Sequence, residues 1–299
     1  MTISVESPDS DTGEHRSIWT YLYRMPHTLG YVEAAGYRTR YLEAGVRGRP
    51  AVVMLHGTAG SVENFSANIA AYAEHFHVVA IDMIGCGWTD KPSEQVTPAM
   101  WSEHVLAVMT ELGVQRASFV GVSLGSWVAA RAAIDHPERV DRLVMVAATG
   151  IVVDAEEYAA TLVEVRARRM RAAKQLDWAA VKAIFTRLFH DERKIMDDLV
   201  AVRLGMYSDP AMQAAMPYLV VVDDEGVLTE EQWRSFGHPV QIFDAVDAPN
   251  MYLRNGRRIA ELAPDTVTVE LTDCDHWGQF EQADIFNAES IAFLLGQTR

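Results

Sequence analysis

Residues Ser118 to Arg131 read SFVGVSLGSWVAAR, and no other stretch constrains the fold as much. Phe119-Val120 is a short apolar run fit to be a buried strand. Ser126 to Ile134 is rich in Ala and fit to be a helix. Between them stands Gly121-Val122-Ser123-Leu124-Gly125. A strand that turns this sharply into a helix holds its central Ser in a strained conformation, so the flanking residues must be small. Gly121 and Gly125 meet that need. The Ser123 hydroxyl would then stand at the carboxyl end of the strand, and the helix N-terminus favours negative charge developing there. A chance G-x-S-x-G arises in roughly one chain in ten of this length. The segments around it must therefore decide its meaning.

Those segments alternate. Gly30 to Gly45 predicts an antiparallel hairpin around Ala35-Gly36. Ala51 to Leu55 is a continuous apolar run, the mark of a strand buried on both faces, and it ends in His56-Gly57-Thr58. A helix over Ser61 to His75, a strand over His77 to Met83 and a helix over Thr97 to Gly113 follow, then a strand over Arg142 to Ala148. This order predicts an α/β fold with a doubly wound, mostly parallel sheet. From 151 to 236 the strand signal disappears and Ala, Glu, Arg and Leu rise, which predicts an inserted helical cap. Its Val165 to Lys174, VRARRMRAAK, reads as a solvated helix face, with an anion-facing patch as the minor alternative. Strands return at Pro239 to Phe243 and Val267 to Leu271, with helices over Met251 to Leu262 and Ala283 to Leu295. The expected organisation is a flexible tail over 1–17, a core over 18–150 and 237–299, and the cap between.

Composition excludes some classes of function. The 299 residues carry a formal charge of −15, which disfavours nucleic acid and anionic membranes as partners. The start is polar, with no basic segment followed by an apolar run, and no apolar stretch approaches a membrane span. The two cysteines, Cys86 and Cys274, form no CxxC and fit free thiols in a reducing cytoplasm. No metal or cofactor motif is present. Nothing in the sequence sets the oligomeric state, and a homodimer is allowed.

Three strand ends then present Ser123, Asp247 and His276 in that order. A serine hydroxyl is a poor nucleophile at neutral pH, so a neutral imidazole must take its proton. The imidazole needs a carboxylate to fix its tautomer, and the oxyanion needs backbone N–H donors. Thr58 and Leu124 are the expected donors. Asp244 is a rival to Asp247 for the acid.

With these residues in place, the chain resembles the α/β-hydrolase family from about Gly30 to Leu295. Within it, the run from Asp275 to Asn287, DHWGQFEQADIFN, is similar to the G-H-W-A-Q-W-E-x-A-D-x-F-N of the meta-cleavage product hydrolases. Those enzymes hydrolyse a carbon–carbon bond in ring-fission products of aromatic compounds. The resemblance implies a small carboxylate substrate, with Asn64, Trp277 and Arg203 as contacts. Asn68 belongs to the same polar stretch as Asn64. The chain departs from the pattern in three places: Val122 precedes the nucleophile where Asn is usual, the loop after His56-Gly57 is shorter, and no Gly precedes the acid. The bland reading of Arg203 pairs it with Asp197 or Asp198. An esterase or lactonase using the same three residues is the alternative activity. Lyase, haloperoxidase and non-enzymatic receptor uses of such a scaffold are more distant ones.

Overall fold

A computed structural model of the chain describes residues 17–174, 176–219 and 226–297. The tail expected over 1–17 thus lies, but for Ser17, outside the described residues. Among the described residues eight strands form one sheet: β1 (His27–Ala34), β2 (Tyr37–Gly45), β3 (Ala51–Leu55), β4 (His77–Ile81), β5 (Ala117–Val122), β6 (Val140–Val146), β7 (Val240–Ala245) and β8 (Thr266–Leu271). Their order is β1-β2-β4-β3-β5-β6-β7-β8. The first hairpin closes through Ala35 and Gly36, at φ 49 and 81, the left-handed pair a tight two-residue turn requires. β2 runs antiparallel to β1 and β4, and every other neighbouring pair is parallel.

Among the described residues there are twelve α-helices: α1 (Trp19–Leu22), α2 (Ser66–Ala73), α3 (Pro98–Glu111), α4 (Leu124–Asp135), α5 (Ala155–Lys174), α6 (Trp178–Thr186), α7 (Asp197–Tyr207), α8 (Pro210–Ala215), α9 (Glu230–Arg234), α10 (Met251–Leu262), α11 (Gly278–Glu281) and α12 (Ala283–Leu294). The apolar run of β3 divides between two cores. Val53 and Leu55 join the one that includes residues of α3, α4 and α10, and Val52 and Met54 the one that includes residues of α2 and α12. That split is the two-residue period of a strand buried on both faces. α5 to α9 lie in the segment between β6 and β7.

The crossover order places the site. β3 lies between β4 and β5, so the chain turns outward after one strand and inward after the other. The loops after β3 and β5 therefore open side by side at a topological switch point. Beneath them runs a buried charge network. Arg40 on β2 reaches Glu63 at 2.5 Å and Asp82 at 3.1 Å. Asp82 also accepts the backbone N–H groups of Val62, at 2.8 Å, and Trp88, at 2.9 Å. The segment that carries Asn64 is thus fixed from below.

Candidate active site

Ser123 sits at φ 54 and ψ −118 between β5 and α4. That strain is held by its surroundings. Its N–H donates to the Val146 carbonyl at 2.9 Å, and its own carbonyl accepts from the Ser126 and Thr149 hydroxyls, each at 2.7 Å. A side chain on Gly121 would strike the Gly125 backbone, and one on Gly125 would strike the Leu55 carbonyl. The two glycines are needed for close approach, as their spacing predicts.

His56 shapes the neighbouring loop. Its Nε2 accepts the Met83 N–H at 3.1 Å, so its Nδ1 carries the proton and donates to the Gly57 carbonyl at 2.7 Å. Burial pushes this imidazole down to about 4, which keeps it neutral. The loop then turns through Ala59, at φ 51, and brings Gly57 against the Ser123 side chain. Among the described residues, the Thr58 and Leu124 backbone N–H groups donate to no protein acceptor. Leu124 is the first residue of α4, where a free N–H is intrinsic to the helix.

A cavity of about 40 Å³ gathers Thr58, Asn64, Ser123, Arg203, His276 and Trp277 with Gly57, Val165, Arg168, Arg169, Leu188 and Tyr252. Six predicted residues thus share one void. A larger cleft of about 670 Å³, bordered by α1, α2, α11 and α12, contains none of them. Asn68 lies apart from the cavity, donating to the Gln279 carbonyl at 2.7 Å and to Asn287 at 2.8 Å. Trp277 is buried edge-on against Phe185, with ring centres 5.5 Å apart.

His276 is half-buried, and its ring meets Tyr252 at 74° with centres 4.4 Å apart. Burial, reinforced by Arg168 and Arg169, drives its imidazole down to about 3. It is therefore neutral and able to accept a proton. Burial raises the Tyr252 phenol, against smaller opposite effects of Arg168 and then the Ser123 hydroxyl, so the phenol stays protonated. Among the described residues no carboxylate accepts a hydrogen bond from the His276 imidazole. Asp247 lies exposed in the turn after β7, where it accepts the Asp273 N–H at 2.9 Å. Asp244 falls within β7, which runs two residues beyond the predicted end, and packs beneath Gly256 of α10. Its burial pushes it up to about 6. Glu281 ties the His276 loop to the inserted segment. Its carboxylate accepts the N–H groups of Asp275 at 2.9 Å, His190 at 3.0 Å and Asp191 at 3.1 Å.

The three cavity arginines differ from the rest of the surface. Arg203 is 3 % exposed and Arg169 is 7 % exposed, and neither forms an ion pair. The pairing of Arg203 with Asp197 or Asp198 does not occur, and Asp198 instead accepts the Ile18 N–H at 2.9 Å. Arg203 lies over the rings of Phe185 and Tyr207, at 5.2 and 5.7 Å. Arg169 donates to the Tyr207 hydroxyl at 3.2 Å. Reading VRARRMRAAK as a solvated face missed Arg168, Arg169 and Val165. Their i, i+3, i+4 spacing was the available signal, because it sets all three on one side of α5. Tyr252 had no signal beyond its place in the first turn of α10.

Comparison with known proteins gives the family and the class of reaction. A 2-hydroxymuconate semialdehyde hydrolase from Pseudomonas putida is 28% identical over 268 residues, covering 85% of this chain and 89% of that protein. A 2-hydroxy-6-oxo-6-(2'-aminophenyl)hexa-2,4-dienoic acid hydrolase from Metapseudomonas resinovorans is 26% identical over 271 residues, covering 88% and 90%. Among solved structures, a 2-hydroxy-6-oxo-6-phenylhexa-2,4-dienoate hydrolase from Rhodococcus superposes with a TM-score of 0.77 at 22% identity, over 91% of this chain and 99% of its own, a likeness of fold. The alpha/beta hydrolase fold family matches residues 50–283, and with the elbow, the crossover order and these relatives the chain is a hydrolase that belongs to it.

Proposed function

We propose that this hydrolase cleaves a carbon–carbon bond in a 2-hydroxy-6-oxo-dienoate-type substrate, with Ser123 as nucleophile and His276 as base. The observation that carries the reading is Arg203, a buried guanidinium without a carboxylate partner, in the same cavity as Ser123 and His276. A guanidinium fork grips a carboxylate at two points, and the grip strengthens where water is excluded. The keto-acid end of the dienol lies against Arg203. A proton moved with the help of neutral His276 converts the dienol to a ketone. Ser123, or a water it activates, adds to the remote carbonyl, and the Thr58 and Leu124 N–H groups receive the oxyanion. Collapse of this adduct breaks the carbon–carbon bond, its electron pair leaves as a stabilised carbanion that takes up a proton from His276, and where Ser123 attacked, water hydrolyses the acyl-enzyme. Asn64 and Trp277 line the substrate's path. A dienoic acid and a second acid are released. The void is smaller than such a substrate, so the segment 151–236 acts as a cap that shifts to admit it.

Asp247 is the proposed acid. It stands on a loop beyond its strand, and its bond to Asp273 already ties that loop to the one bearing His276. The bond to His276 forms when substrate is bound. Asp247→Asn is expected to lower kcat more than Asp244→Asn, and the reverse ranking moves the role to Asp244. The reaction itself is tested with the yellow dienolate of a 2-hydroxy-6-oxo-dienoate and a set of small esters and lactones. Bleaching of the dienolate at a higher kcat/KM than any ester supports the reading. Ester or lactone turnover without bleaching makes the enzyme an esterase or lactonase. Ser123→Ala is expected to lose at least about a thousandfold in kcat with the fold intact. Activity above a tenth of wild type removes Ser123 as nucleophile.

A further inference from the structure

We propose that the cavity contains a second anion subsite, formed by Arg168 and Arg169 of α5, and that the natural substrate is a dicarboxylate. The inference rests on reading Arg203 as the anchor of the first carboxylate. Three guanidinium groups line the void, and no Asp or Glu does. Among the described residues none of the three has an ion pair, although the chain as a whole carries a charge of −15. Arg169 and Arg203 are nine-tenths or more buried, and the Nε of each has no hydrogen-bond partner.

A single carboxylate offers two oxygens and one negative charge. It satisfies one guanidinium fork and leaves at least one buried cation uncompensated. Burying an unpaired charge is costly, so a second anion is the simplest complement. Tyr207 is at most one counter-charge for three guanidinium groups: burial works to raise its phenol, and Arg203 and Arg169 outweigh that and hold it below the ordinary range. The positive groups also come from two helices. Arg203 stands on α7, while Arg168 and Arg169 share one side of α5 with Val165. A substrate with one carboxylate at each end of a short chain matches this supply.

The test uses unreactive probes, hexanedioate and hexanoate, with wild-type enzyme at one ionic strength and calorimetric affinities. Hexanedioate is expected to bind at least about tenfold more tightly. Arg168→Met and Arg169→Met should each bring the ratio below about threefold with hexanoate affinity unchanged. A wild-type ratio near one overturns the proposal, as does an undiminished ratio in both variants. Cleavage of a dienol with one carboxylate is measured separately. If that dienol is bleached while the ratio is one, the hydrolase reading stands and the second subsite falls. If the dienol is untouched while the ratio is high, the subsite stands and carbon–carbon hydrolysis falls.

Discussion

Two groups of buried arginine in this chain answer burial in opposite ways. Arg40 lies 6 % exposed between Glu63 and Asp82, with both carboxylates in contact and Trp88 stacked on it at 4.5 Å. Arg169 and Arg203 are as deeply buried and meet only aromatic rings and one phenol. A folded chain that leaves a charge uncompensated at one place while compensating it fully at another is using the first place for something. The first group holds a loop. We propose that the second receives an anion beside Ser123.

The comparison is broken most severely by removing Arg40. Arg40→Met leaves Glu63 and Asp82 buried without their cation, and folding stability should fall by about 3–5 kcal/mol. Urea unfolding midpoints measure this. A loss below about 1 kcal/mol would mean that the network is not what holds the loop. Arg169→Met makes the opposite change, because it removes a cation that has no counter-charge. The ligand-free protein should gain about 1 kcal/mol, seen as a higher Tm, while losing affinity for hexanedioate and not for hexanoate. A fall in Tm would show that Arg169 is compensated in the folded state.

The smallest effect is on pH dependence. The folded value of His276 lies near 3, below its unfolded value, through burial first and then Arg168 and Arg169. The stability this contributes is fully present above the unfolded value of about 6.5 and is lost as pH falls toward 3. Arg169→Met should raise the folded value and make that acid loss shallower by less than about 1 kcal/mol. Unfolding midpoints of both proteins between pH 7 and 4 check the sign. An unchanged slope would separate the arginines from the His276 field.

The sequence revealed the fold where backbone geometry restricts residue choice. Gly121 and Gly125 announce the elbow because neither place has room for a side chain. The apolar run of β3 announces a strand buried on both faces, and Met251–Leu262 is a helix with the predicted bounds. Helices Ala155–Lys174, Trp178–Thr186 and Asp197–Tyr207 fall in the stretch where the strand signal disappears. The side of each that would be buried was not legible, since it depends on contacts with loops far away in sequence. Arg168 and Arg169 were hidden for that reason. The position of Asp247 after β7 could be read, but its bond to the Asp273 N–H could not, because that N–H comes from a loop 26 residues away. Cys86 and Cys274 are buried and unbridged. Among the described residues no helix is long and apolar enough to cross a membrane.

The central claim is that the uncompensated arginines face the substrate. Its most direct test is kcat/KM of wild type and Arg203→Met on a keto-acid dienol and on a neutral ester. The account predicts a loss of about 30-fold or more, some 2 kcal/mol, on the dienol, and less than about threefold on the ester. Equal small losses on both substrates would contradict it.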